Sequence, residues 1–181
     1  MHKDIEKILY SKEDIENIVK SLAKKIEMDY NGKDFIMVGL LNGCISFMVD
    51  LMREINLGFT IDFMTVSSYG DSTVSSGRVN IIKDMSVPVE GKNVLVVEDI
   101  VDSGNTVAFI EKYLYAKKAA SVRICTLFDK PERRVADLDV DYVGTVIPDA
   151  FIVGYGLDYA QRYRNLPYVG ILKKSVYSKN T

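Results

Sequence analysis

The thirteen residues from Val94 to Thr106, VLVVEDIVDSGNT, limit the fold more than any other segment of the chain. Residues 94–97 (VLVV) are uninterrupted apolar and β-branched or leucine, the pattern of a strand covered on both faces. Two acids, Glu98 and Asp99, follow, then Asp102-Ser103-Gly104-Asn105, and Thr106 to Lys118 reads as a helix. Residues 122–128 (VRICTLF) are a second apolar strand. Strand, helix and strand joined by short connections form the βαβ unit of a parallel sheet, which needs helices to cover it.

The flanking sequence fits that frame. Ser11 and Asp14 make a variant of a capping box, Ile15, Ile18, Val19, Leu22 and Ile26 recur at helical spacing, and Asn31-Gly32 ends the helix. FIMVGL at 35–40 predicts another buried strand, CISFMVDLMREI at 44–55 a mostly buried helix, and FTIDFMTV at 59–66 an alternating strand. Residues 67–77 (SSYGDSTVSSG) hold five serines and two glycines, and predict a long mobile loop returned by a strand at 78–82. Beyond residue 140 the runs become short and are broken by Pro148, Gly154, Gly156 and Pro167, as in a small appended subdomain. Tyr155, Tyr159 and Tyr163, at every fourth position, are expected to serve packing, and the lone GYG at 154–156 is no dinucleotide fingerprint.

Composition removes other classes. The chain has 181 residues, 48% hydrophobic and 27% charged, with four prolines, which suits one domain with a filled core and excludes disordered and coiled-coil chains. A net charge of −2 offers no basic field for nucleic acid. Cys44 and Cys125 sit in apolar runs and read as reduced core residues. His2 is the single histidine, so a histidine zinc site or a Ser-His-Asp triad has no support. The first residues lack the apolar run of a signal peptide, and no stretch has membrane-spanning length. A cytoplasmic location without membrane partners is expected.

The chemistry concentrates at the end of the central strand. In open α/β sheets, ligands bind at the carboxyl ends of strands. A loop there that feeds a helix N-terminus offers free N–H groups to an anion. Gly104 permits close backbone approach, and the Ser103 and Thr106 hydroxyls add donors. Glu98 and Asp99 beside a phosphate make sense if the ligand also carries hydroxyls or arrives with magnesium, and a sugar phosphate satisfies both. The plainer alternative makes Asp102 and Ser103 ordinary helix caps and the two acids solvated surface charges. No Walker loop is present.

VLVVEDIVDSGNT resembles the phosphoribosyl-pyrophosphate motif of type I phosphoribosyltransferases. SSYG at 67–70 is similar to the lid of that family. DYVGTVIPDAFIVGYGLDYAQRYRNLPYVGIL at 141–172 resembles the purine site of its hypoxanthine-guanine members, and LLNGCISF at 40–47 their pyrophosphate loop. The resemblance runs from about Phe35 to the end of the chain. It implies the family's α/β fold: a parallel-sheet core with helices on both faces, a small C-terminal hood subdomain and a mobile lid. One domain then spans 1–181, with a core of about 10–140 and a hood of about 141–181 joined by the N-terminal residues.

The implied activity is transfer of a 5-phosphoribosyl group from phosphoribosyl pyrophosphate to hypoxanthine or guanine, with Mg2+ as cofactor. By the same resemblance, Glu98 and Asp99 hold the ribose hydroxyls and, with Asp158, the metal. Asp102, Ser103, Gly104, Asn105 and Thr106 bind the 5′-phosphate, and Asp102 is the candidate catalytic proton acceptor. Leu41, Asn42, Gly43 and Arg164 hold pyrophosphate. Lys130 donates to the purine 6-oxo group, Phe151 stacks on the base and the Ile152 backbone reads its far edge. Ser68 and Tyr69 close over the reaction, and assembly as a homodimer or homotetramer is expected. Asn42 and Asn105 stand where many family members carry lysine, a change for affinity rather than for the reaction. Two other readings are a catalytically silent nucleotide-binding regulator of the same fold and a receiver-type signalling domain. In the latter the acid pair would end the first strand, not a mid-chain one.

Overall fold

The computed structural model describes residues 1–68 and 79–178. Its elements in chain order are β1 (Ile5–Tyr10), α1 (Lys12–Tyr30), β2 (Phe35–Leu41), α2 (Ile45–Glu54), β3 (Thr60–Ser68), β4 (Val79–Lys83), β5 (Asn93–Val101), α3 (Asn105–Ala116), β6 (Ser121–Asp129), β7 (Tyr142–Val146), β8 (Ile152–Val153), β9 (Val169–Leu172) and α4 (Lys174–Tyr177). A short 3-10 turn, Pro131–Arg133, follows β6.

Six strands form the main sheet in the order β4-β3-β2-β5-β6-β7. Pairing is parallel throughout except at the β3–β4 edge, which is antiparallel. The apolar strands divide by parity, as a pleat with a period of two demands. Met37, Leu95, Val97 and Cys125 pack with α1 and α2 residues such as Leu22, Ile26, Phe47 and Leu51. Ile36, Val38, Val94, Val96 and Ile124 pack on the other side with Val107, Ile110 and Leu114 of α3. Helices therefore cover both faces, and the thiols of Cys44 and Cys125 lie buried as reduced cysteines.

Local signals act as the residues imply. Ser11 accepts from the Asp14 N–H while Asp14 accepts from the Ser11 N–H, a complete capping box with aspartate in the glutamate role. Two strands run further than their apolar cores suggest. β3 continues through Ser67 and Ser68 because β4 supplies ladder partners at Asn80 and Val79. β5 continues past the two acids to Val101, because β6 pairs with it as far as Asp129. The rest of the expected lid, Tyr69 included, lies outside the described residues.

The main sheet also takes in β7, past the change in sequence character near residue 141. A second, antiparallel sheet of order β1-β9-β8 makes the hood, so the N-terminal strand lies beside the last one. Ile5, Val153 and Leu172 form its small core. The tyrosines at 155, 159 and 163 lie in a turn-rich segment, not a helix, and each packs against a different partner. Tyr155 donates to Asp50 on α2, Tyr163 donates to Asp4, and Tyr159 meets the edge of Phe151.

Candidate functional site

β2, β5 and β6 are neighbouring parallel strands that end at Leu41, Val101 and Asp129, and the residues just beyond these ends face one another. The loop after β5 is three residues long, Asp102 to Gly104. Gly104 is the N-cap of α3 with φ +80°, and a Cβ built there would lie 2.6 Å from Arg134 Cδ, so both the conformation and the space call for glycine. Gly104 has no side chain with which to cap α3, and the neighbouring Ser103 Oγ accepts from the Asn105 N–H at 3.4 Å. The Asp102 carboxylate makes no such bond, and the next N–H groups of α3 remain to bind a ligand. A cavity of about 110 Å³ lies in this loop, lined by Glu98, Asp102, Ser103, Gly104 and Thr106.

The loop is braced from behind. Val135 and Ala136 donate their N–H groups to the Ser103 carbonyl at 3.0 and 3.1 Å. Arg134 donates through Nε to the Asp102 carbonyl at 3.3 Å while its other end pairs with Asp129 at the end of β6. The sequence gives only a weak signal for these contacts, the pair Arg133-Arg134 four residues beyond a strand end.

Glu98 and Asp99 lie inside β5 rather than after it. Burial raises both carboxyls above the ordinary range. The neighbouring Asp99 charge raises Glu98 further, whereas the Ile100 N–H and Arg164 draw Asp99 back. Glu98 Oε2 is buried and has no partner. A carboxylate pair of this kind, with one orphan oxygen, suits a hard cation or a hydroxyl donor.

The turn after β2 packs directly on this pair: a Cβ at Gly43 would fall 2.0 Å from Asp99 Oδ2. The Leu41–Asn42 peptide is cis. Gly156 in turn presses on the Gly43 carbonyl, where an added Cβ would come within 2.1 Å. Arg164 donates to the Gly156 carbonyl at 2.7 Å, to Gln161 Oε1 at 3.1 Å and pairs with Asp158 Oδ1 at 2.8 Å. Asp158 is thus held by Arg164. Among the described residues it makes no group of three or more acids with Glu98 and Asp99 of the kind that could hold a metal. A larger cavity, about 420 Å³, opens beside Arg164 and Ser46 between α1, α2 and the hood.

Lys130 follows β6 and is buried, its Nζ donating to the Ala150 carbonyl at 2.8 Å. That bond ties the end of β6 to the loop before β8. Phe151 stands next to it, 40% exposed, stacked on the Tyr177 ring at 4.9 Å and edge-on to Tyr159 at 5.6 Å. Ile152 is buried in β8 against β9. Ser68 ends β3. The expected site residues thus fall into three neighbouring groups: the β5 loop with its acids, the Gly43–Gly156–Arg164 contact, and the Lys130–Ala150–Phe151 corner.

Residues 7–160 match the phosphoribosyl transferase domain family. The chain belongs to this phosphoribosyl transferase family. The hypoxanthine-guanine phosphoribosyltransferase of Bacillus subtilis (strain 168) is 51% identical, over 98% of this chain and 98% of that one. The bifunctional protein TilS/HprT of Listeria monocytogenes serotype 4b (strain F2365) is 49% identical over 99% of this chain, which spans only 28% of that protein's length. Among solved phosphoribosyl transferase structures, a hypoxanthine phosphoribosyltransferase from Staphylococcus aureus superposes with a TM-score of 0.94 at 50% identity, covering 98% of this chain and 96% of that one. The fold is that of type I phosphoribosyltransferases, with a parallel sheet between helices, and the chain carries the family's transferase architecture.

Proposed function

We propose that this chain is a purine salvage enzyme that transfers the 5-phosphoribosyl group of phosphoribosyl pyrophosphate to hypoxanthine or guanine and releases pyrophosphate. The observation that carries this reading is the convergence of the β2, β5 and β6 ends on one site. It is supported by relatives of that name at about half identity over the full chain.

The 5′-phosphate sits on the N–H groups of Ser103 to Thr106 at the start of α3, where the helix dipole favours an anion. The ribose hydroxyls donate to Glu98 and Asp99. The Leu41–Gly43 turn and Arg164 hold the pyrophosphate, and Arg164 is oriented for this by the Gly156 carbonyl and Gln161. Lys130, fixed by Ala150, donates to the 6-oxo group of a base stacked on Phe151, with the Ile152 backbone at its far edge. Asp102 accepts the purine proton as the bond to C1′ forms and the C1′–O bond to pyrophosphate breaks. Ser68 and Tyr69 belong to the segment that closes over the reactants.

Glu98 and Asp99, with the orphan oxygen of Glu98, would hold magnesium, Asp158 would be a further carboxylate for it, and the metal would supply charge neutralisation for the departing pyrophosphate. The enzyme is taken to work in the cytoplasm as a homodimer or homotetramer, as the family resemblance implies, and among the described residues no helix is long and apolar enough to cross a membrane. The test is product formation with phosphoribosyl pyrophosphate, magnesium and hypoxanthine, guanine or xanthine in turn. Nucleotide is expected from the first two, and tight binding of phosphoribosyl pyrophosphate without product from any base would overturn the reading in favour of a silent binding protein.

A further inference from the structure

The Asp102 side chain is 41% exposed as a whole, yet its Oδ1 is buried and accepts no hydrogen bond. What covers Oδ1 includes a charge: Nε of Arg133 lies 3.2 Å away. The other end of the same guanidinium reaches across to the hood, with NH1 3.4 Å from Asp149 Oδ1. Asp149 is in turn 3.8 Å from Lys130 Nζ. Arg133 therefore spans the gap between the β5 loop and the residues around Lys130, one on each side of the base in the function proposed above.

The backbone delivers Arg133 to this place. Lys130 N–H donates to the Val101 carbonyl at 2.9 Å, and Arg133 N–H closes the 3-10 turn onto the Lys130 carbonyl at 3.1 Å. The following Val135 and Ala136 are fastened to Ser103. Arg133 is thus fixed at its root by bonds to the very loop whose carboxylate it faces.

We infer that Arg133 is a positioning residue for proton transfer: it holds the Asp102 carboxylate by Oδ1 and leaves Oδ2 facing the base. This rests on the role of Asp102 in that function. The reason is torsional. The terminal torsion of an aspartate is broad and two-fold, so its carboxylate plane is undetermined unless something holds one oxygen. A guanidinium hydrogen-bonded to Asp149 and paired by charge with Oδ1 of Asp102 biases that plane in a way an ammonium cannot copy in full. Stability is not the purpose, because a pair with side chains 52% and 41% exposed contributes little to folding. A base misaligned with the proton it takes loses rate without losing fold.

The experiment is a double-mutant cycle read by single-turnover nucleotide formation, with melting temperature and phosphoribosyl pyrophosphate affinity measured alongside. Arg133→Ala is expected to slow the single turnover about tenfold. Melting temperature and phosphoribosyl pyrophosphate affinity stay as in the parent, since backbone donors hold the phosphate. In an Asp102→Asn background the same change should cost nothing further, because no base remains to be aligned. Arg133→Lys should recover part of the rate. A parent-like rate in Arg133→Ala, or the same fractional loss with and without Asp102, overturns the positioning role while leaving the function intact. A parent that makes no nucleotide overturns the function itself, and this role with it.

Discussion

In the proposed function, Asp102 and Lys130 carry the chemistry at the scale of single residues, and each role can be tested apart from stability. Asp102 caps no helix, so Asp102→Asn is expected to keep its melting temperature and still bind phosphoribosyl pyrophosphate. Its single-turnover rate should fall by about 10²–10⁴-fold, the usual worth of a general base. A variant as fast as the parent would remove Asp102 from the mechanism. Lys130 is buried with Nζ aimed at the Ala150 carbonyl, so a charged donor waits at the base corner. Lys130→Met should narrow the preference for 6-oxo over 6-amino purines by about 1.5–3 kcal/mol, the worth of a hydrogen bond to a charged group. Unchanged hypoxanthine kinetics would show that Lys130 does not touch the base. Gly104→Ala combines a positive φ with a clash against Arg134. It should destabilise by more than about 1 kcal/mol and weaken phosphoribosyl pyrophosphate binding, as read by denaturant melts and calorimetry.

Between elements, the most informative tie is Asp62 on β3. Its carboxylate accepts from the N–H groups of Phe63, Ser86 and Val87 at 2.7, 2.6 and 2.8 Å, and so pins the connection between β4 and β5 to the sheet. Burial acts to raise its pKa, but the three N–H groups and nearby Lys83 outweigh it and bring the carboxyl below its ordinary value. The folded pKa is then lower than the unfolded one of about 3.9. The stabilisation is complete above that unfolded value and is lost as pH falls through the folded pKa. Asp62→Asn should therefore cost about 1.5–3 kcal/mol near neutral pH. The gap between parent and variant should close in acid, and a gap constant from pH 7 to pH 3 in urea melts would contradict this account.

The elements also show how far the sequence could be read. The buried strands and three long helices were legible because their apolar residues recur with the period of the element they build. The β5 loop was legible because its residues are contiguous. What escaped depended on partners far along the chain. Ser67 and Ser68 read as loop until β4 offers them ladder bonds, and Glu98 and Asp99 read as strand-terminal until β6 does. Arg133 and Arg134 give little signal in the sequence because the carboxylates they meet, at 102, 129 and 149, come from three separate segments. Asp158 is placed near the metal by the family resemblance, and its pairing with Arg164 adds a contact that the sequence does not show.

For the whole molecule, the decisive relation is between the main sheet and the hood. The hood carries Phe151 and Ile152, yet its sheet is completed by β1 from the other end of the chain. Ile5 is 1% exposed and sits in the hood core with Val153 and Leu172, close against Gly170. Ile5→Ala should cost about 2–5 kcal/mol by the usual cavity cost. Because the β5 loop is built without β1, KM for the purine should rise while affinity for phosphoribosyl pyrophosphate holds. Equal loss of both would mean that hood and core fail together.

That sheet also has a consequence for synthesis. Ile5 pairs with Leu172, so β1 leaves the ribosome more than 150 residues before β9, the strand that gives it a neighbour. The βαβ core closes over far shorter separations and can condense while translation continues. Until β9 emerges, Ile5 and Ile8 remain on an unpaired strand edge, and in the proposed function the half-made protein resembles a finished sugar-phosphate cradle with no roof over the base. A stalled chain released before residue 169 should accordingly retain phosphoribosyl pyrophosphate but not purine, and its orphan first strand would be the segment through which such fragments stick to one another.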